Sequence, residues 1–132
     1  MLSYKIETRT NETNATGHID HTVIPVWFEL ARTPIYALLN PGLSLATWNT
    51  VIRKIDIDYL GQVLHGRDTE VRSRIGVIRN SSFQVLQELW QAGVAVAKGS
   101  TVLVCFDYKK QQKMAMPPAV REQLADWQGE SG

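Results

Sequence analysis

Cysteine is nearly absent from this chain of 132 residues. The one that is present, Cys105, has no partner for an intrachain disulfide. Set in Val-Leu-Val-Cys-Phe, its thiol reads as a buried, inert part of the core. An excess of charge is missing too, since 14 Lys and Arg face 13 Asp and Glu for a formal net charge of +1. That balance supplies no global pull toward nucleic acid or an anionic membrane and leaves only local basic patches to consider. No uncharged run reaches membrane-spanning length, and the opening MLSYKIETRTNETN lacks the apolar core of a secretion signal. The expectation is a cytoplasmic protein that binds neither nucleic acid nor membrane. Without a secretion signal, the Asn-X-Ser/Thr triplets at Asn11, Asn14 and Asn80 read as polar turns and not as glycosylation sites. There is no internal repeat, low-complexity segment or linker.

What is present is ordinary for a globular chain: 44% apolar and 20% charged residues. The length suits a single domain over residues 1–132, with a tail from about residue 111. Leu2, Tyr4 and Ile6 alternate with polar residues, as in a half-buried strand running to Arg9. A helix is expected from about Thr22 to Leu39. Val23, Trp27, Leu30, Ala31 and Ile35 mark one side, and Val26, Phe28 and Leu38 extend the apolar coat nearly all round. Pro34 should kink this helix or end its regular part near Thr33, and Asn40-Pro41-Gly42 stops it.

Four strands are expected next, over Trp48 to Tyr59, Arg67 to Arg79, Phe83 to Trp90 and Val94 to Tyr108. Asn80-Ser81 and Gln91-Ala92-Gly93 form the turns. In the second, Thr69, Val71, Ser73, Ile75 and Val77 share a face. Short turns make these strands antiparallel neighbours. After Pro117-Pro118, the spacing of Val120, Leu124 and Trp127 predicts a short amphipathic helix before an unstructured end. Strand, helix and four strands make an α+β fold, a five-stranded antiparallel sheet wrapped around a long central helix.

The chemistry concentrates between Asn11 and Pro34. A polar loop there feeds the start of a buried helix, where free backbone N–H groups can hold an anion or a polarised carbonyl. The stretch from Glu12 to Arg32, ETNATGHIDHTVIPVWFELAR, resembles the opening motif of the 4-hydroxybenzoyl-CoA thioesterase branch of the hotdog-fold superfamily. In that branch a Thr-Asp pair, two variable residues, Gly-His-Val/Ile and two polar residues lead into a helix of the Tyr/Trp-Phe-Glu-X-Ala-Arg type. IDYLG, GRDTEVRSR, RNSSFQV and AVAKGSTVLV sit where the family's later strands are expected, so the resemblance reaches to about Lys110.

The resemblance implies an acyl-CoA thioesterase without metal or bound cofactor, coenzyme A entering as part of the substrate. It implies a homodimer formed by sheets joining edge to edge with the active sites at the interface, and tetramers are common in such families. The N–H that polarises the thioester carbonyl falls at His21, with Gly17 shaping the loop. The position of the catalytic aspartate is held by Asn14, whose neutral amide cannot take a proton from water. The alternative is therefore a protein that binds an acyl thioester and hydrolyses it poorly; a dehydratase of the same fold would need its His and acid differently arranged.

Three carboxylates stand near enough in sequence to replace the aspartate. Asp20, which also reads as a helix N-cap, is the best placed. Glu12 precedes Asn14 by two residues, and Glu29 reads as a partner of Arg32. His18 and His21 are candidate general bases. For the coenzyme A phosphates the resemblance points to Arg79, Ser81 and Ser82, with Arg72 to Arg74 and Lys98-Gly99 as further candidates. Trp27, Phe28 and Trp48 are candidates for an acyl pocket.

Overall fold

A computed structural model describes residues 1–128. The expected unstructured end beyond Trp127 falls mostly on 129–132, outside the described residues. Five antiparallel strands, β1 (Leu2–Ile6), β2 (Thr50–Tyr59), β3 (Thr69–Ile78), β4 (Ser82–Gln91) and β5 (Val94–Asp107), lie in the order β1-β3-β4-β5-β2. A two-residue strand, β6 (Gln112–Lys113), pairs antiparallel with the end of β5. The β4–β5 hairpin turns on Ala92 and Gly93, with φ of 49° and 77°. Two successive positive φ values match the right-handed twist of the strands they join.

Alternation places Thr69, Val71, Ser73 and Ile75 on the inner face, but Val77 is exposed. Between Ile75 and Ile78 the register with β4 slips by one residue, and this bulge turns Val77 outward while returning Ile78 to the inner side. A second slip, between Ile52 and Lys54, leaves Arg53 as the extra residue on β2.

The long central helix is not present. Two short helices, α1 (Val23–Ala31) and α2 (Thr33–Leu39), meet at Arg32. Pro34 has no N–H for the carbonyl of Leu30; the hydroxyl of Thr33 donates to it instead at 2.6 Å. Pro34 then sits in the first turn of α2, where a missing donor is harmless. The apolar coat is not fully covered either, because Val26 and Leu30 face solvent in the single chain.

The break divides the core. Around α1, Ile24, Trp27 and Phe28 pack with Val71, Leu89 and Ala97. Around α2, Ile35 and Leu39 pack with Ile75, Phe83, Leu103 and Cys105. Burial pushes the Cys105 thiol up, as befits an inert side chain. α1 lies close on the sheet at Gly99, where an added Cβ would stand 2.8 Å from the ring of Phe28. α3 (Pro118–Asp126) buries Val120 and Leu124, and the carbonyl of Trp127 accepts from the N–H of Ile75 at 2.9 Å. Among the described residues no helix is long and apolar enough to cross a membrane.

Candidate active site

The loop ahead of α1 is a tight hairpin. The N–H of Asn14 donates to the carbonyl of His18 at 2.8 Å, and that of Gly17 to the carbonyl of Asn14 at 3.0 Å. Gly17 sits at φ +82°, a conformation that L side chains rarely adopt. Below it, the N–H groups of Ile19 and Asp20 bond the carbonyls of Val63 and Glu12. The Oδ1 of Asn14 accepts from the Thr16 N–H at 3.0 Å and from its hydroxyl at 2.6 Å, an Asx turn. The same hydroxyl lies 2.9 Å from the Nδ1 of His18.

The three candidate carboxylates end in different places. Glu12 is engaged at both oxygens, by the N–H of Arg9 at 2.7 Å and the indole of Trp27 at 2.9 Å. Asp20 holds the start of α1, accepting from the hydroxyl and the N–H of Thr22. These bonds, the hydroxyl first, hold its carboxyl below the ordinary value, so it stays ionised and is a weak base.

Glu29 does not pair with Arg32. The guanidinium is 2% exposed and donates to Tyr36, Gln87 and Thr101 at 3.0, 3.1 and 3.3 Å. A helix break aims Arg32 into the sheet, while Glu29, three residues earlier, stays on the exposed side.

His21 opens the way into α1. Its backbone N–H has no acceptor among the described residues, while its carbonyl takes the hydroxyl of Tyr59 at 2.9 Å. The Tyr59 ring also meets the imidazole edge to face, 6.1 Å between centroids. A free N–H at a helix start, with the neighbouring peptide held in place, suits a developing oxyanion.

Depressions among the described residues bear on the remaining candidates. A groove of about 560 Å3 runs between the helix break and β2, lined by Glu29, Leu30, Tyr36, Trp48 and Ile52. Trp48 thus lines a surface groove, whereas Trp27 and Phe28 are enclosed in the core. A notch of about 620 Å3 at the β3–β4 turn gathers Arg53, Arg79 and Lys113 with Ser81 and Ser82, and among the described residues no carboxylate lines it.

The carbonyls of that turn are bound elsewhere, Arg79 by Arg121, Asn80 by Met116 and Ser81 by Cys105. A third hollow, of about 660 Å3, lies among Arg72, Arg74 and Lys98, but Asp56, Asp58 and Glu88 answer their charge. Arg72 there bonds Glu70 at 2.6 Å and stacks on Trp90. Among the described residues, the Arg79 turn is the one basic group expected for phosphate whose hollow no carboxylate lines.

Four residues of these sites were not legible as such. Thr16 had a signal, since Asn-X-Thr is a turn pattern in which both side chains bond locally. Tyr59, Arg53 and Lys113 had none, because their roles depend on which strand ends meet and on a bulge.

The thioesterase-like superfamily matches residues 8–124. Among solved structures, a predicted thioesterase from Bacillus stearothermophilus is 35% identical, with 99% of this chain and 98% of that one covered at a TM-score of 0.95. A thioesterase from Thermus thermophilus, complexed with coenzyme A and Zn, is 25% identical over 93% and 96% of the two chains at a TM-score of 0.84. A 1,4-dihydroxy-2-naphthoyl-CoA thioesterase from Synechocystis shares the fold at 17% identity, with 95% and 96% covered and a TM-score of 0.81. No curated protein matches the chain. With its sheet order, its helix start and a family match over most of its length, the chain belongs to the thioesterase-like superfamily.

Proposed function

We propose that the protein hydrolyses acyl-CoA thioesters to free acid and coenzyme A, in the manner of the 4-hydroxybenzoyl-CoA thioesterase branch. The observation that carries the coenzyme A assignment is the notch, which is lined by three cations from β2, the β3–β4 turn and β6, two serines and, among the described residues, no carboxylate. Charge-assisted bonds from such groups suit the phosphates of the nucleotide. The free N–H of His21 receives the thioester carbonyl, and the groove beside Trp48 and Ile52 takes the acyl group.

Within one subunit the notch and the loop lie toward opposite ends of β2. Arg53 and Tyr59 are six residues apart on that strand, roughly 20 Å at the usual strand rise. The free edge of β2 carries exposed Val51, Ile52, Ile55 and Tyr59, an apolar edge suited to pairing with a second copy. Antiparallel pairing of two such edges sets the start of one strand toward the end of the other. The working unit is then a homodimer in which the pantetheine arm runs between the notch of one subunit and the loop of its partner.

One observation favours a second reading. Asn14 stands where the family motif has an acid, and a protein with no other base would hold an acyl thioester without turning it over. The test is thiol release from a panel of acyl-CoAs and their acyl-pantetheine counterparts. The coenzyme A assignment predicts a higher kcat/KM for acyl-CoA, and loss of that preference in Arg53→Ala and Lys113→Ala. Equal rates on both substrate types in the parent protein would remove it.

A further inference from the structure

The loop around Asn14 holds another base, and its hydrogen bonds fix which ring nitrogen carries the proton. The backbone N–H of Thr16 donates to one side-chain atom of Asn14 at 3.0 Å. That atom is therefore the carbonyl oxygen, which only accepts. The hydroxyl of Thr16, 2.6 Å from the same oxygen, gives its single proton there. It then faces the Nδ1 of His18, 2.9 Å away, as an acceptor. Nδ1 must carry a hydrogen, so the neutral ring leaves Nε2 bare. The backbone of His18 is pinned as well, its carbonyl bonded by Asn14 and its strand-like pairing made with Leu64.

The rival bases are occupied or undirected. Both oxygens of Glu12 are engaged, and the Oδ2 of Asp20 accepts both Thr22 bonds, which weaken that carboxylate as a base. The ring of His21 is 72% exposed, and its Nδ1 lies 3.8 Å from Asp20, beyond hydrogen-bond distance. Glu29 is exposed and has no side-chain hydrogen bond or ion pair among the described residues to aim it.

We infer that His18 is the general base of the reaction and that Thr16 and Asn14 are the residues that position it. The inference rests on the thioesterase reading. As the oxygen of a water molecule bonds the acyl carbon, one of its protons passes to Nε2 of His18. The carbonyl electron pair moves onto oxygen, which the N–H of His21 receives. Collapse of the tetrahedral adduct re-forms the carbonyl and breaks the C–S bond. The departing thiolate takes the proton back from Nε2, leaving acid, thiol and a neutral imidazole. Asn14 keeps the orienting part of an aspartate's work, and the proton goes to the ring two bonds along the relay.

The test uses the full chain, following thiol release from acyl-CoA across pH together with long-range proton–nitrogen spectra of the histidines. His18→Gln is expected to lower kcat by about 10²- to 10⁴-fold, with KM little changed. It also removes the limb of the pH–rate profile that rises as a base deprotonates. Thr16→Val is expected to lose the Nδ1–H form of His18 from the spectra and part of the rate. A folded His18→Gln protein with the parent's rate and profile overturns the assignment, as does a parent spectrum showing Nε2–H at His18. Release at the parent's rate from His18→Gln removes this assignment alone; a parent that releases no thiol from any acyl thioester removes the thioesterase reading and this assignment with it.

Discussion

The guanidinium of Arg32 donates to the Oε1 of Gln87 at 3.1 Å, inside the fold and with no carboxylate bonded to it among the described residues. Gln87 in turn donates to the carbonyl of Phe28 and the hydroxyl of Ser73. A belt of neutral partners thus ties the helix break to the sheet between the two halves of the core. Arg32→Met and Gln87→Leu should each destabilise the fold by about 1–3 kcal/mol, because each strands buried polar groups. Together they should cost less than their sum by about 1 kcal/mol, since the pair is in contact. Urea unfolding of the four proteins measures this, and strict additivity would contradict it.

Asp20 behaves differently from the other candidate carboxylates. Its folded-state pKa is depressed, chiefly by the Thr22 hydroxyl and then by the Thr22 N–H. Its stabilising contribution is therefore present above the unfolded value and lost as pH falls through the lower folded one. Thr22→Val should raise the Asp20 pKa toward the ordinary 3.8, read by carboxyl chemical shifts in an acid titration. Asp20→Asn should retain most thiol release. Its abolition would move the base to Asp20.

Close approach at Gly99 predicts a packing defect. A methyl group there meets the Phe28 ring at 2.8 Å and the carbonyl oxygen of Asp56 at 3.2 Å. Gly99→Ala should destabilise the protein by about 1–3 kcal/mol, and Phe28→Leu in the same chain should recover part of the loss. Thermal unfolding of both variants checks it.

The exposed apolar edge of β2 predicts association. The parent should sediment as a dimer or a multiple of it. Ile55→Asp should yield monomers and depress thiol release with them, because notch and loop would no longer face each other. A parent that sediments as a monomer at micromolar concentration, yet turns over, would refute the shared site.

How far the sequence was legible follows from which interactions are local. Period-two alternation placed Thr69 to Ile75 on one face, and Ala92-Gly93 marked its hairpin, because both depend on neighbouring residues alone. The bulges that turn Val77 outward and leave Arg53 as the extra residue depend on cross-strand register. Pro34 announced a disturbance of the helix, but the break fell at Arg32, where the Thr33 hydroxyl replaces the missing donor. Glu29 and Arg32 have the spacing of a helical ion pair, yet the cation turned inward to Gln87, which no local pattern discloses. At the loop, the Asn14-X-Thr16 triplet carried the turn that orients His18, though it reads first as a chance glycosylation match.

The most direct measurement is steady-state thiol release from an acyl-CoA by the parent protein and by Asn14→Asp. If His18 supplies the base and residue 14 only orients it through Thr16, the parent turns over and the substitution changes kcat by less than about tenfold, well short of the value of a general base. A parent that releases no thiol, beside an Asn14→Asp protein that does so readily, would contradict this and leave the parent chain a binder of acyl thioesters.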